Sequence, residues 1–174
     1  MKTIILSPRL KLLADMIRPG ASVVDVGSDH GLLPIYLAQT ASVRNIIASD
    51  INEASTAYAM RSAMKYNVSG KIKFITAPGL TGIRSSEIDT IIIAGLGGET
   101  ILGILKETSW IKQFNYNLIL QPQSKLDLLS GFLYDNDYKI TETKIVRDRG
   151  KKYTVILSES NVLIKAYSQN FEGN

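Results

Sequence analysis

Five short apolar runs separated by stretches of helical periodicity constrain this chain most, because that alternation is the sequence form of a parallel sheet built from βαβ units. The runs are Ser22 to Val26, Asn45 to Ser49, Lys71 to Thr76, Asp89 to Ala94 and Asn117 to Leu120. Between them, helical spacing covers about Leu32 to Gln39, about Glu53 to Tyr66, the segment after Gly98 to about Lys106, and about Lys125 to Tyr134. A further helix precedes the first run. Ser7 and Pro8 have the character of an N-cap and a first helical position, Leu10, Leu13, Ala14 and Ile17 follow, and Pro19-Gly20 stops the element. The end of the chain differs. Tyr138 to Arg147 and Lys151 to Glu159 are strand-like, and Asp148-Arg149-Gly150 between them leaves no room for a crossover helix, so the two pair as an antiparallel hairpin. The predicted fold is α/β and Rossmann-like: a mostly parallel seven-stranded sheet with a C-terminal antiparallel hairpin.

Composition narrows the chemistry. A chain of 174 residues, 45% hydrophobic and 21% charged, has the profile of one soluble globular domain. It contains no apolar run long enough to span a membrane, and Met1 to Leu6 meets Ser7-Pro8-Arg9 too soon for a signal-peptide core, so the expected location is cytoplasmic. The absence of cysteine excludes disulfides, thiolate zinc sites and covalent transfer through a cysteine nucleophile. With a single histidine, only scattered carboxylates remain as ligands, and no metal is expected. A formal charge of +4 and a pI near 9.2 are compatible with a polyanionic partner without requiring one.

The chemistry concentrates where the first run meets its turn, at Asp25-Val26-Gly27-Ser28-Asp29-His30-Gly31. In an open α/β sheet, ligands bind outside the carboxyl ends of the strands, and glycines there let the backbone turn sharply and approach a ligand. Asp50, at the end of the second run, is placed to accept hydrogen bonds from the two hydroxyls of a ribose. Asp25 and Asp29 would repel a pyrophosphate but suit a sulfonium cation and an ammonium group, which points to S-adenosylmethionine. A blander reading of the turn has Asp25 and Asp29 only capping it, and Gly27 and Gly31 only permitting it.

Several motifs then meet in one resemblance: Leu6-Ser7-Pro8-Arg9-Leu10, Asp25 to His30 with Leu33-Pro34, Asp50-Ile51-Asn52-Glu53, Ile93 to Gly98, Leu118 to Pro122, and Gly150-Lys151-Lys152-Tyr153. Together they resemble the TrmK family of bacterial tRNA (adenine-N1)-methyltransferases, within the class I S-adenosylmethionine-dependent methyltransferases. The resemblance implies methylation of N1 of an adenine, at position 22 of tRNA. It places Gly27, Asp50 and Ile51 at the cofactor and Asp29 with His30 at the target base. N1 of adenine carries its own lone pair, so Asp29 would serve by accepting the N6 amine and offsetting charge on the ring. His30 has an equally plain reading as a helix-start residue that packs locally.

Asp25, Gly79, Leu80 and Gly95 complete the expected cofactor set. Family members carry an acidic or amide residue just before Gly79-Leu80; here Pro78 offers neither acceptor nor N–H, leaving adenine to backbone groups or apolar packing. On the substrate side, Gly97 and Gly98 would let the base approach, or else serve only to start a helix, and Gln121 on the rim would hydrogen-bond a base. Arg9, Arg147 and Lys152 would contact phosphates, with Lys11, Arg149 and Lys151 nearby. Tyr36 and Tyr153 are possible stacking partners that fit packing positions equally well. Residues 1–160 form the expected methyltransferase domain, and 161–174 a tail, the remnant of the helical extension the resemblance implies. The partner is tRNA, with no membrane, and the protein a monomer or weak dimer. Two alternatives stay open: a non-catalytic RNA-binding module, and an NAD(P)-dependent reductase, although no tyrosine here is followed four residues later by lysine.

Overall fold

The computed structural model describes residues 3–160. In chain order the elements are α1 (Pro8–Asp15), β1 (Ser22–Val26), α2 (Leu32–Thr40), β2 (Asn45–Asp50), α3 (Glu53–Lys65), β3 (Lys73–Thr76), β4 (Thr90–Leu96), α4 (Gly98–Glu107), β5 (Asn117–Pro122), α5 (Leu126–Asp135), β6 (Tyr138–Asp148) and β7 (Lys151–Ser160). They build one seven-stranded sheet of order β3-β2-β1-β4-β5-β7-β6. The first five strands are parallel, and β7 pairs antiparallel with both β5 and β6. This is the architecture expected from the sequence. The tail at 161–174 lies outside the described residues.

Every residue of β1 and β5 is buried, which explains why both read as near-continuous apolar runs. One face of the sheet presents Val24, Val26, Ile91, Ile93, Leu118 and Leu120 to Ile101 and Leu105 of α4 and Leu129 and Leu133 of α5. The other presents Val23, Ile46, Ile92, Ile119 and Val155 to Leu13 of α1 and Leu33, Ile35 and Leu37 of α2. The outer strand β6 is exposed along most of its length, and a bulge between Ile140 and Glu142 together with its charged side chains keeps it from offering a flat edge to another sheet.

Several boundaries differ from expectation by a residue or more, among them those of β4, β3 and α1. The strand β4 continues through Gly95 to Leu96, because Gly95 takes φ +78° and absorbs an irregularity, after which Leu96 pairs again with Pro122. A single 3₁₀ turn at Ser69–Lys71 removes Lys71 from β3, its N–H bonding to Val68 O at 2.9 Å. Helix α1 ends at Asp15, before the Pro19-Gly20 stop.

Candidate active site

The strand order reverses between β1 and β4, and a cleft of about 850 Å³ opens there at the carboxyl ends of the strands. Its floor is the turn after β1. Gly27 has φ +73°, and a Cβ at that position would touch the Leu96 side chain at 3.5 Å, so the turns after β1 and β4 confront each other directly. Gly27 N–H and Ser28 N–H both donate to Ser49 O, at 2.8 and 3.1 Å, which fastens the β1 turn to the end of β2.

Asp50 is held from two sides. Its Oδ2 accepts Asp29 N–H at 3.0 Å and its Oδ1 accepts Asn52 N–H at 2.9 Å. Asn52 in turn caps α3, accepting from Ala54 and Ser55 N–H. A carboxylate oriented by two backbone donors keeps its outward lone pairs free for further donors such as ribose hydroxyls. Ile51, 73% exposed, stands beside it on the cleft wall.

Asp25 lies deeper, only 7% exposed. Burial pushes its carboxyl up to about 7; the Arg9 guanidinium offsets part of that, and the charge of Asp50 adds to it. A cation entering the cleft would favour the ionised form.

At the mouth, Asp29 adopts φ +48°, a left-handed conformation that aspartate tolerates better than most residues. Its exposed carboxylate stands 3.4 Å from His30 Nε2, and the His30 ring meets Tyr58 edge-on at 4.8 Å. Both Asp29 and His30 border the cleft, as do Gly79 and Gly95.

Four expectations need correction. Leu80, expected at the cofactor, is a core residue packed among Val24, Ile91 and Ile101, while Ala77, Pro78 and Gly79 reach the cleft in its place. Gly97 and Gly98, expected to let a base approach, instead let α4 start against the β5–α5 connection. A Cβ on Gly98 would lie 2.6 Å from Lys125 O, and neither residue needs a positive φ. Gln121 is not on the rim; it is fully buried, accepting from Arg9 Nη1 at 2.8 Å and donating to Pro122 O at 2.8 Å. Arg147 and Lys152 face each other in the β6–β7 ladder, and alternation turns them away from the face on which Asp148 and Tyr153 border the cleft. Arg9, by contrast, does reach the cleft, where it is half-buried and 5.5 Å from the Tyr153 ring centroid.

Sequence reasoning missed two contributors. Asp148 Oδ2 accepts Arg9 N–H at 3.4 Å, standing in for Ser7, whose side chain caps nothing. The outer wall comes from Thr100, Ile104 and Glu107, a spacing of four and three along α4 that already marks one helical face.

With this geometry in place, the comparisons decide the family. Residues 6–156 match the family described as a methyltransferase domain. The chain is 33% identical over 162 residues to the tRNA (adenine(22)-N(1))-methyltransferase of Bacillus subtilis, an alignment covering 93% of this chain and 68% of that protein. The chain belongs to the TrmK family. Among solved structures, it superposes on B. subtilis m1A22 tRNA methyltransferase TrmK with TM-score 0.82 and 32% identity, covering 95% of this chain and 70% of that one. M. capricolum TrmK, solved with S-adenosyl-homocysteine, gives TM-score 0.80 and 30% identity, covering 90% of this chain and 69% of that one. The chain thus spans roughly two thirds of each TrmK relative.

Among the described residues, no group of three or more His, Cys, Asp or Glu converges as a metal site, and no helix is long and apolar enough to cross a membrane.

Proposed function

We propose that this chain methylates N1 of an adenine in tRNA, the adenine at position 22, with S-adenosylmethionine as donor. The observation that carries this reading is the pair of carboxylates at the ends of adjacent strands: Asp25 buried on the floor, Asp50 aimed into the cleft by two backbone donors. That donor set fits the cofactor, whose ribose offers two hydroxyls and whose amino acid end offers an ammonium beside a sulfonium. When bound, the cofactor supplies an electrophilic methyl group.

The residues divide the work by depth. Asp50 would take the ribose, and the exposed side chain of Ile51 would offer apolar surface to the adjoining base. Asp25 faces the ammonium, whose charge favours the ionised carboxyl over the protonated one that burial prefers. The backbone at Gly27 and Gly95, both at positive φ, leaves room for the methionine arm. Asp29, at the mouth, accepts a hydrogen bond from the exocyclic N6 amine of an adenine swung out of its stack. Positive charge developing on the adenine ring during methyl transfer would be stabilised by the Asp29 carboxylate. His30, braced on Tyr58, holds that carboxylate in place. N1 bears no proton, so no general base precedes transfer.

Transfer of labelled methyl from S-adenosylmethionine into bulk tRNA, mapped by primer extension, tests the reading. Wild-type protein that binds S-adenosylhomocysteine yet labels no tRNA would overturn the substrate. Asp29→Asn keeps a residue suited to positive φ and keeps the N–H that holds Asp50. It is therefore expected to retain cofactor affinity within about twofold while losing at least about tenfold in rate. An unchanged rate removes Asp29 from the base side. Silence toward S-adenosylhomocysteine would favour the alternative of a non-catalytic RNA-binding module.

A further inference from the structure

The tip of the β6–β7 hairpin carries charge that the fold leaves unused. Four of the six residues from Arg147 to Lys152 are cationic, and among the described residues none of the four forms an ion pair, whereas Lys11, Arg44, Lys73, Arg84 and Lys144 each do. The one acid within the tip, Asp148, instead accepts Arg9 N–H at 3.4 Å. The tip also overhangs the sheet. Pairing of β7 with β5 ends at Ile156, so Lys151 to Val155 pair only with β6 and run on for about 16 Å beyond the last β5 pair. The bond from Arg9 to Asp148 and the Arg9 guanidinium over the Tyr153 ring, 5.5 Å from its centroid, tie this overhang to α1. Of the four cations, Arg149 alone borders the cleft.

The backbone at Arg149 adds an independent argument. Asp148 pairs with Lys151, so the connection has two residues, and both take positive φ, Arg149 at +47° and Gly150 at +78°. Such a turn favours Asn, Asp or Gly at its first position, because glycine has no Cβ to crowd the following carbonyl oxygen and a short Asn or Asp side chain bonds locally. Arginine offers neither relief. A strained arginine with no carboxylate partner, at the rim of a cleft, points to a ligand, and its guanidinium presents a fork of donors that fits a phosphate. Its place decides which anion. Arg149 is exposed on the overhang, away from the floor where Asp25 is buried, which suits a charged backbone that stays in solvent while its base enters the cleft. We propose that Arg149 binds a backbone phosphate of the tRNA strand that delivers the target adenine, holding that strand against the hairpin while the base turns inward. Arg147, Lys151 and Lys152 add to the attraction without bordering the cleft. The proposal rests on the reading of tRNA as substrate above.

Arg149→Asn separates the turn from the ligand, since asparagine suits the backbone and drops the charge. The variant is expected to melt about 2 °C above wild type, because the strain is relieved. With bulk tRNA its KM should rise at least about fivefold while kcat stays within about twofold, and the slope of log affinity against log salt should fall by about one. Arg149→Lys, which keeps the charge on the same strained backbone, is expected to hold KM within about threefold of wild type. Calorimetric titration with S-adenosylhomocysteine should give both variants the wild-type affinity within about twofold. An unchanged KM and salt slope in Arg149→Asn would leave Arg149 a turn residue and overturn the proposal. A matching loss of S-adenosylhomocysteine affinity would assign the anion to the cofactor, and a lower melting temperature would make the arginine part of the fold; either overturns it too. Wild-type protein that binds S-adenosylhomocysteine but neither binds nor methylates tRNA would instead remove the substrate reading on which the proposal stands.

Discussion

Replacing Asp25 with asparagine isolates what the cleft floor costs the fold. In the unfolded chain this carboxyl ionises near 3.8, whereas burial raises it to about 7 in the folded protein, with Arg9 opposing the shift and Asp50 adding to it. The folded state therefore keeps a proton that the unfolded state has released. Stability from this group is complete below 3.8, declines as pH rises, and is lost once pH passes about 7. At about 1.4 kcal/mol per unit, a shift from 3.8 to about 7 amounts to about 4 kcal/mol in all, of which about 3 kcal/mol falls between pH 5 and pH 8. Asparagine has nearly the same shape and no such dependence. Urea unfolding followed by the fluorescence of Trp110, at several pH values across that interval, should show the variant gaining on wild type by about 3 kcal/mol as pH rises. The same variant should bind S-adenosylhomocysteine more weakly, since the charge facing the ammonium is gone. If the two stability profiles stay parallel to within about 0.5 kcal/mol, Asp25 is ionised in the folded protein and the account of the floor is wrong.

Two further outcomes test the scaffold. Gly98→Ala places a methyl 2.6 Å from Lys125 O and 2.7 Å from Ser124 O, both backbone atoms, and should cost about 1–3 kcal/mol in urea unfolding; a neutral result would show that the β5–α5 connection yields freely. Asp148→Ala removes the only side-chain acceptor at the start of α1 among the described residues and should lower stability by about 1 kcal/mol, with an unchanged midpoint refuting the capping role.

Local patterns carried most of the fold. Apolar runs and helical spacing marked the strands and five helices because β1 and β5 are buried on both faces and the helices each bury one stripe. The turn after β1 and Asp50 were legible for a similar reason, since a glycine at positive φ and an acid at a strand end are consequences of chain-local geometry. What escaped depends on contacts between distant segments. Gln121 looks polar and therefore exposed, yet it is buried because Arg9, far away in sequence, supplies its partner. Leu80 stands next to a glycine that does border the cleft, but a single step along the chain carries it into the core. Arg147 and Lys152 belong to a basic cluster in sequence that strand alternation splits between two faces.

The bond from Arg9 to Asp148 joins positions 139 apart, so the first helix is completed by the turn of the last hairpin. During synthesis the strands β1, β2 and β4 emerge and can pair long before that turn leaves the ribosome. One wall of the cleft, with Tyr153 and Asp148, then closes only when nearly all the described chain is available. Loop closure over such a separation is slow and late. A ligand that needs that wall, by binding only the closed form, would draw the final docking step forward by mass action.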